Sequence, residues 1–89
     1  MGKYYTYILF SEKLNKFYVG STNNLQRRFE EHNRGKNPFS KLGMPWQLKY
    51  YHEFDSRTEA VIRELEIKRK KDRRYIQRLI DSCDSEHPG

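Results

Sequence analysis

Five side chains in this sequence have types that could act together on a phosphate ester: the phenols of Tyr7 and Tyr18, the guanidinium of Arg28, the imidazole of His32 and the carboxylate of Glu64. Cleaving a phosphodiester takes an activated oxygen nucleophile, positive charge on the crowded phosphate and stabilisation of the leaving oxygen. A phenol or imidazole, an arginine and a metal-binding carboxylate meet those needs. The spacing supports a common site, because Arg28 stands four residues before His32 and the two stack on one face of a helix. Each residue also has a structural alternative. Strand tyrosines pack, a helical arginine is solvated, a single histidine serves as a boundary residue, and Glu64 can pair with Lys68 at the i to i+4 spacing.

The elements that must position these residues can be read from the surrounding sequence. Tyr4 to Phe10 is dense in β-formers, and Phe17-Tyr18-Val19 repeats that character after the polar stretch from Ser11 to Lys16, which predicts a hairpin. With an even-numbered loop and no bulge, opposite partners have numbers of odd sum, so Tyr7 and Tyr18 share one sheet face. Gly20 ends the second strand. The run from Ser21 to Asn24 then offers N-caps, with Gln26 three residues after Asn23, and opens a helix over Leu25 to Asn33 whose Leu25 and Phe29 pack on the sheet. Asn33-Arg34-Gly35 stops it with glycine in the left-handed position. Lys36 to Pro45 reads as a loop carrying Lys41 outward, and Trp46 to Phe54 as a third strand, with Trp46 itself in the core.

Ser56 and Glu59 form a capping-box signature for a helix from about Arg57 to Lys70. At about 100° per residue its apolar arc, taken over Ala60, Val61, Leu65 and Ile67, contains Glu64 and Lys68 and leaves Arg63 and Glu66 outside. An inward carboxylate is costly without a partner or a metal, which favours a ligand role for Glu64. Tyr75, Ile76, Leu79 and Ile80 recur at helical spacing and predict a short last helix. The organisation expected is one domain over residues 1–80 and a polar tail over 81–89.

Charge and composition narrow the class. Eighteen Lys and Arg against twelve Asp and Glu give +6, clustered at Arg27, Arg28, Arg34 and Lys36 and again from Lys68 to Arg74, a distribution suited to a polyanion. Arg27, Lys41, Lys68, Lys71 and Arg73 are the candidate nucleic-acid contacts; for the second cluster the alternative is a solvated helix end whose cations suit the dipole. Hydrophobic residues are 35% of the chain and aromatics 15%, so rings must supply much of a thin core. No apolar run nears the roughly 20 residues of a spanning helix, and the start lacks a secretory pattern, so a soluble cytoplasmic protein is expected. The single cysteine, Cys83, excludes an internal disulfide and a thiolate zinc site.

Taken together, Tyr5-Thr6-Tyr7, Tyr18-Val19-Gly20 eleven residues after Tyr7, then Arg28, His32 and a later helix bearing Glu64 resemble the GIY-YIG nuclease superfamily. The resemblance covers about Tyr4 to Ile80 and is closest to short stand-alone bacterial members similar to the excinuclease C N-terminal domain. Their Tyr-Ile-Gly-Ser-Thr centre, Arg-Arg, Glu-His-Asn and Pro-Trp-x-Leu elements have counterparts here. The resemblance implies an α/β (α+β) fold, a three-stranded antiparallel sheet flanked by helices. It also implies a DNA endonuclease assisted by one divalent cation, Mg2+ or Mn2+, with no organic cofactor and no membrane partner. By that resemblance Tyr7 or Tyr18 positions or deprotonates the attacking water, Arg28 clamps the scissile phosphate, His32 assists proton transfer or binds phosphate, and Glu64 holds the metal. Tyr5-Thr6 replaces the name-giving Gly-Ile, and no Asn follows Glu64, whereas many family nucleases carry a late one. Without a second DNA-recognition domain the expected cutting is structure-directed or weakly sequence-specific, in repair or recombination. The alternative is a binding module of the same fold that cuts weakly or not at all.

Overall fold

The computed structural model describes residues 2–35, 38–70 and 72–86, with side chains described through residue 82. Lys36, Lys71 and the Cys83 side chain, all named above, lie outside the described part.

The hairpin forms as strands β1 (Tyr4–Ser11) and β2 (Lys16–Thr22), antiparallel, with Tyr7 opposite Gly20 and Leu9 opposite Tyr18. The partner numbers sum to an odd value, so Tyr7 and Tyr18 are diagonal neighbours on one face. Strand β3 (Trp46–Phe54) pairs antiparallel with the other side of β1, giving the order β2-β1-β3. Ile8 faces Tyr50 while Leu9 faces Leu48, so Lys49 is an extra residue in β3. That bulge turns Leu48 and Tyr50 to opposite faces, where strict alternation would have kept them together.

Helices cover both faces. On one, Leu25 and Phe29 of α1 (Leu25–His32), and Met44 just after α2 (Pro38–Gly43), pack against a cluster of Tyr7, Leu9 and Trp46. On the other, α3 (Arg57–Lys70) and α4 (Arg73–Glu86) pack Ile67 and Ile80 against Ile8, Val19 and Tyr50. Helix α2 stands where a loop is expected over Lys36 to Pro45; proline at its start and glycine at its end bound a helix too short to show periodicity. Gly43 allows Trp46 to approach closely, since a Cβ there would lie 2.5 Å from the indole Cζ2. The last helix runs past the expected end at Ile80 to Glu86, because polar residues with no breaker continue it.

Local signals account for most ends. Asn24, not Asn23, caps α1 and accepts from the Arg27 N–H at 3.0 Å, and Gly35 follows with φ +70°. Ser56 accepts from the Glu59 N–H at 3.2 Å to start α3. Asn33, just past α1, clamps the first residue of β3: its Oδ1 accepts from the Trp46 N–H at 2.6 Å and its Nδ2 donates to the Trp46 carbonyl at 3.1 Å. Trp46 is 2% exposed, and its Nε1 donates to the Ser40 carbonyl at 2.9 Å.

The orientation of α3 corrects the arc drawn from sequence. Ala60 and Ile67 are buried, whereas Leu65 is 49% exposed and Lys68 also faces out. The buried stripe is therefore narrower and rotated, centred near Ala60 and Ile67 and flanked by Glu64 and Arg63. Arg63 turns toward the protein, not away from it, because its guanidinium donates to the Tyr75 hydroxyl at 3.2 Å and to Glu66 at 3.2 Å. The Thr6 hydroxyl donates to the Ala60 carbonyl at 2.7 Å and fixes the height of α3 over β1.

Candidate active site

Tyr7 rises from the central strand, and its ring crosses the strand beside it. A Cβ on Gly20, the residue directly opposite, would lie 2.6 Å from the Tyr7 hydroxyl, so only glycine leaves the phenol room to lie over β2. The side chain is nonetheless 2% exposed. Tyr18 packs beside it with ring centres 6.2 Å apart. Burial above all, with the nearby Tyr18 and Glu64 adding to it and Arg28 opposing it, pushes the Tyr7 phenol far above its usual range. Tyr7 is therefore neutral at physiological pH.

His32 comes from the last turn of α1 and is 6% exposed, packed 4.6 Å from the Tyr18 ring, 6.4 Å from Tyr7 and 6.0 Å from Trp46. Its Nδ1 lies 3.1 Å from the Arg28 carbonyl, which can only accept, so in the neutral ring Nδ1 carries the proton and Nε2 is left as an acceptor. Burial, reinforced by the Arg28 charge, holds its pKa below the ordinary value against the opposing carbonyl bond and Glu31. The sign of the resulting pH dependence is fixed. The unfolded chain takes up a proton near pH 6.5 where the folded one does not, so stability is full above about pH 6.5 and falls as the pH drops below it. His32→Gln should flatten this fall, read as the difference in Tm between pH 7.5 and pH 5. An equal fall in the variant would show that His32 is not its source.

Glu64 reaches the same place from the other face of the sheet. Ala60 and Glu64 lie one turn apart on α3, and two paired residues of adjacent strands, Thr6 and Ser21, bond them in turn. The Ser21 hydroxyl donates to Glu64 Oε1 at 2.7 Å, and Lys68 Nζ donates to Oε2 at 2.6 Å. The Glu64 side chain is 16% exposed and that of Lys68 49%. A divalent cation such as Mg2+ is commonly held by one or two carboxylates with waters and substrate phosphate completing its shell. Glu64 fits such a minimal site, with a cation displacing the half-exposed Lys68 ammonium from Oε2. Among the described residues no group of three or more His, Cys, Asp or Glu offers a closed metal cage.

Arg28 is exposed on α1, 3.5 Å from Glu31, and its charge acts on the Tyr7 phenol. Arg27 lies 4.0 Å from the same carboxylate. The fold thus gathers Tyr7, Tyr18, Arg28, His32 and Glu64 around β2, the phenols, imidazole and guanidinium from the side of α1 and the carboxylate from the side of α3. Of the proposed nucleic-acid contacts, Arg27 and Lys68 border this cluster and Lys41 is exposed on α2. Arg73 is engaged elsewhere: its guanidinium donates to the Asn15 carbonyl at 2.9 Å and to Asn15 Oδ1, and lies 5.2 Å from the Phe17 ring. Ser21, an N-cap candidate by its sequence position, instead bonds Glu64. Its place after glycine in the Tyr18 to Thr22 run, which the related centres share, was the available signal.

Known proteins share this sequence and fold. The chain is 42% identical to a UPF0213 protein of Staphylococcus haemolyticus, over 76% of this chain and 83% of that one. It is 37% identical to a UPF0213 protein of Limosilactobacillus reuteri, over 89% and 84%. The solution NMR structure of a UPF0213 protein from Bacillus halodurans superposes with a TM-score of 0.56 at 30% identity, covering 89% of this chain and 83% of that chain. The model of the GIY-YIG catalytic domain matches residues 3–77, and the chain belongs to the GIY-YIG nuclease family.

Proposed function

We propose that this protein is a metal-dependent DNA endonuclease, structure-directed or weakly sequence-specific, acting in the cytoplasm in DNA repair or recombination. The observation that carries the reading is the convergence of Tyr7, Tyr18, Arg28, His32 and Glu64 from four separate elements around β2. No helix among the described residues is long and apolar enough to cross a membrane.

A division of labour follows from the chemistry of each group. Bound at Glu64, Mg2+ or Mn2+ would supply Lewis-acid stabilisation of the phosphate and the leaving oxygen. Arg28 neutralises charge on the scissile phosphate. Tyr7, held protonated, donates a hydrogen bond that orients the attacking water. Tyr18 is the phenol through which the water's proton passes, and the neutral His32 packed against it takes up that proton at Nε2. Ser21 keeps Glu64 in place.

The test is incubation of supercoiled, single-stranded, flapped and branched DNAs with Mg2+ or Mn2+, with EDTA as control. The expected result is nicking that EDTA abolishes and that favours particular structures over plain duplex. No cutting across the panel would move the assignment to a DNA-binding module of the same fold. One observation favours that second reading: both Glu64 oxygens already have partners, one of them the ammonium of Lys68.

A further inference from the structure

Beside the site just described, a cleft of about 290 Å3 opens between the starts of α1 and α3, lined by Ser21, Thr22, Asn23, Arg27, Arg28 and Arg57 among others. Its three guanidinium groups come from two helices and have poor local justification. Arg57 is the first residue of α3, and Arg27 and Arg28 are the third and fourth of α1, which has no acidic residue in its first turn. Helix N-termini favour anions, so cations placed there work against the helix dipole as well as against one another. Compensation is partial: α3 carries Glu59 in its first turn, where its carboxylate accepts from the Ser56 hydroxyl. Arg27 and Arg28 share the single carboxylate of Glu31, at 4.0 and 3.5 Å, and Arg57 has no ion-pair partner among the described residues.

An anion in the cleft would remove both penalties. Two residues join this cleft to the candidate active site: Ser21 lines it while donating to Glu64, and Arg28 lines it while acting on the Tyr7 phenol. We infer that the Arg27–Arg28–Arg57 cleft is a second phosphate subsite, holding the DNA phosphate next to the one to be cut, with Arg57 as its dedicated ligand. The inference rests on the nuclease reading for its substrate but not for its test. Arg57 reads no base, so the subsite sets the position of the strand and adds affinity of the same size to every sequence.

The experiment measures binding of a duplex oligonucleotide in EDTA, where no cutting intervenes, by fluorescence anisotropy over a range of salt. Arg57→Gln is expected to weaken binding about tenfold and to reduce the slope of log affinity against log salt by about 0.9, the value for one phosphate contact. Arg57→Lys should recover the slope but not all of the affinity, because the two-pronged contact is lost. Replacing single phosphates by neutral methylphosphonates should reveal one position that matters to the wild type and not to Arg57→Gln. Arg57 is exposed, so both variants are expected to keep the wild-type Tm. Wild-type affinity and slope in Arg57→Gln would overturn the subsite even if the protein cuts DNA, as would failure of the wild type to bind the duplex. The expected losses in a protein that never cuts would leave the subsite standing and sink the nuclease reading alone.

Discussion

Glu64→Gln is expected to lower metal-dependent DNA cleavage by at least about a thousandfold while leaving the fold intact. The substitution keeps the shape of the side chain and leaves an amide oxygen to accept from the Ser21 hydroxyl, now at 2.7 Å from Oε1. What disappears is the negative charge, which acts on the Tyr7 phenol against the opposing charge of Arg28. Removing one group that stabilises transition-state charge typically costs two to three orders of magnitude, and loss of the metal's anchor adds to this. Stability should fall by about 1–2 kcal/mol at most, since the bond from Ser21 is kept and the partner that is lost, Lys68, is itself 49% exposed. Nicking of supercoiled DNA, Mn2+ binding by calorimetry and Tm together separate the effects. A variant that retains a tenth of wild-type cleavage would remove Glu64 from the machinery.

The second large effect is on folding. Trp46→Ala should destabilise the protein by about 3–5 kcal/mol, the cost of emptying a large aromatic site in a close-packed core. The indole is 2% exposed and lies against Tyr18, His32 and Phe39, with its N–H satisfied by the Ser40 carbonyl at 2.9 Å. It therefore joins β3 to α2 and to the end of α1. For a domain of this size each kcal/mol shifts Tm by about 4–8 °C, so a fall of at least about 12 °C is expected by circular dichroism. Trp46→Phe should cost less. Trp46 is the only tryptophan, so fluorescence can follow the wild type but not the variant. A loss below about 1 kcal/mol would mean that the surrounding rings close over the gap.

Much of this arrangement was legible from the sequence where local rules govern. The odd-sum pairing of the hairpin put Tyr7 and Tyr18 on one face, and β3 begins and ends where its β-formers do. Glu64 faces inward as its helical angle required. The misses share a cause: they depend on partners distant in the chain. Arg63 turns in because Tyr75 offers it a hydroxyl, and Arg73 leaves the basic stretch to hold the Asn15 turn, 58 residues away. Lys68 was placed inside because the apolar arc was drawn through Leu65, which the structure leaves exposed. No pattern in one chain announces that Thr6 and Ser21, neighbours across two strands, will take successive turns of α3. That pairing, more than the capping signals, sets where Glu64 meets the phenols.

The clamp of Asn33 on Trp46 has a consequence for association between molecules. Strand β3 lies at a border of the sheet, where outward-facing backbone groups offer a template for a strand from another chain. At Trp46 the template is already occupied, because the carboxamide of Asn33 bonds the same N–H and C=O that an incoming strand would use. A side chain thus imitates one residue of a fourth strand and caps the border at that end. Asn33→Ala would do more than free one turn of chain: it would lengthen the adhesive border by a residue, and self-association at high concentration should rise with it.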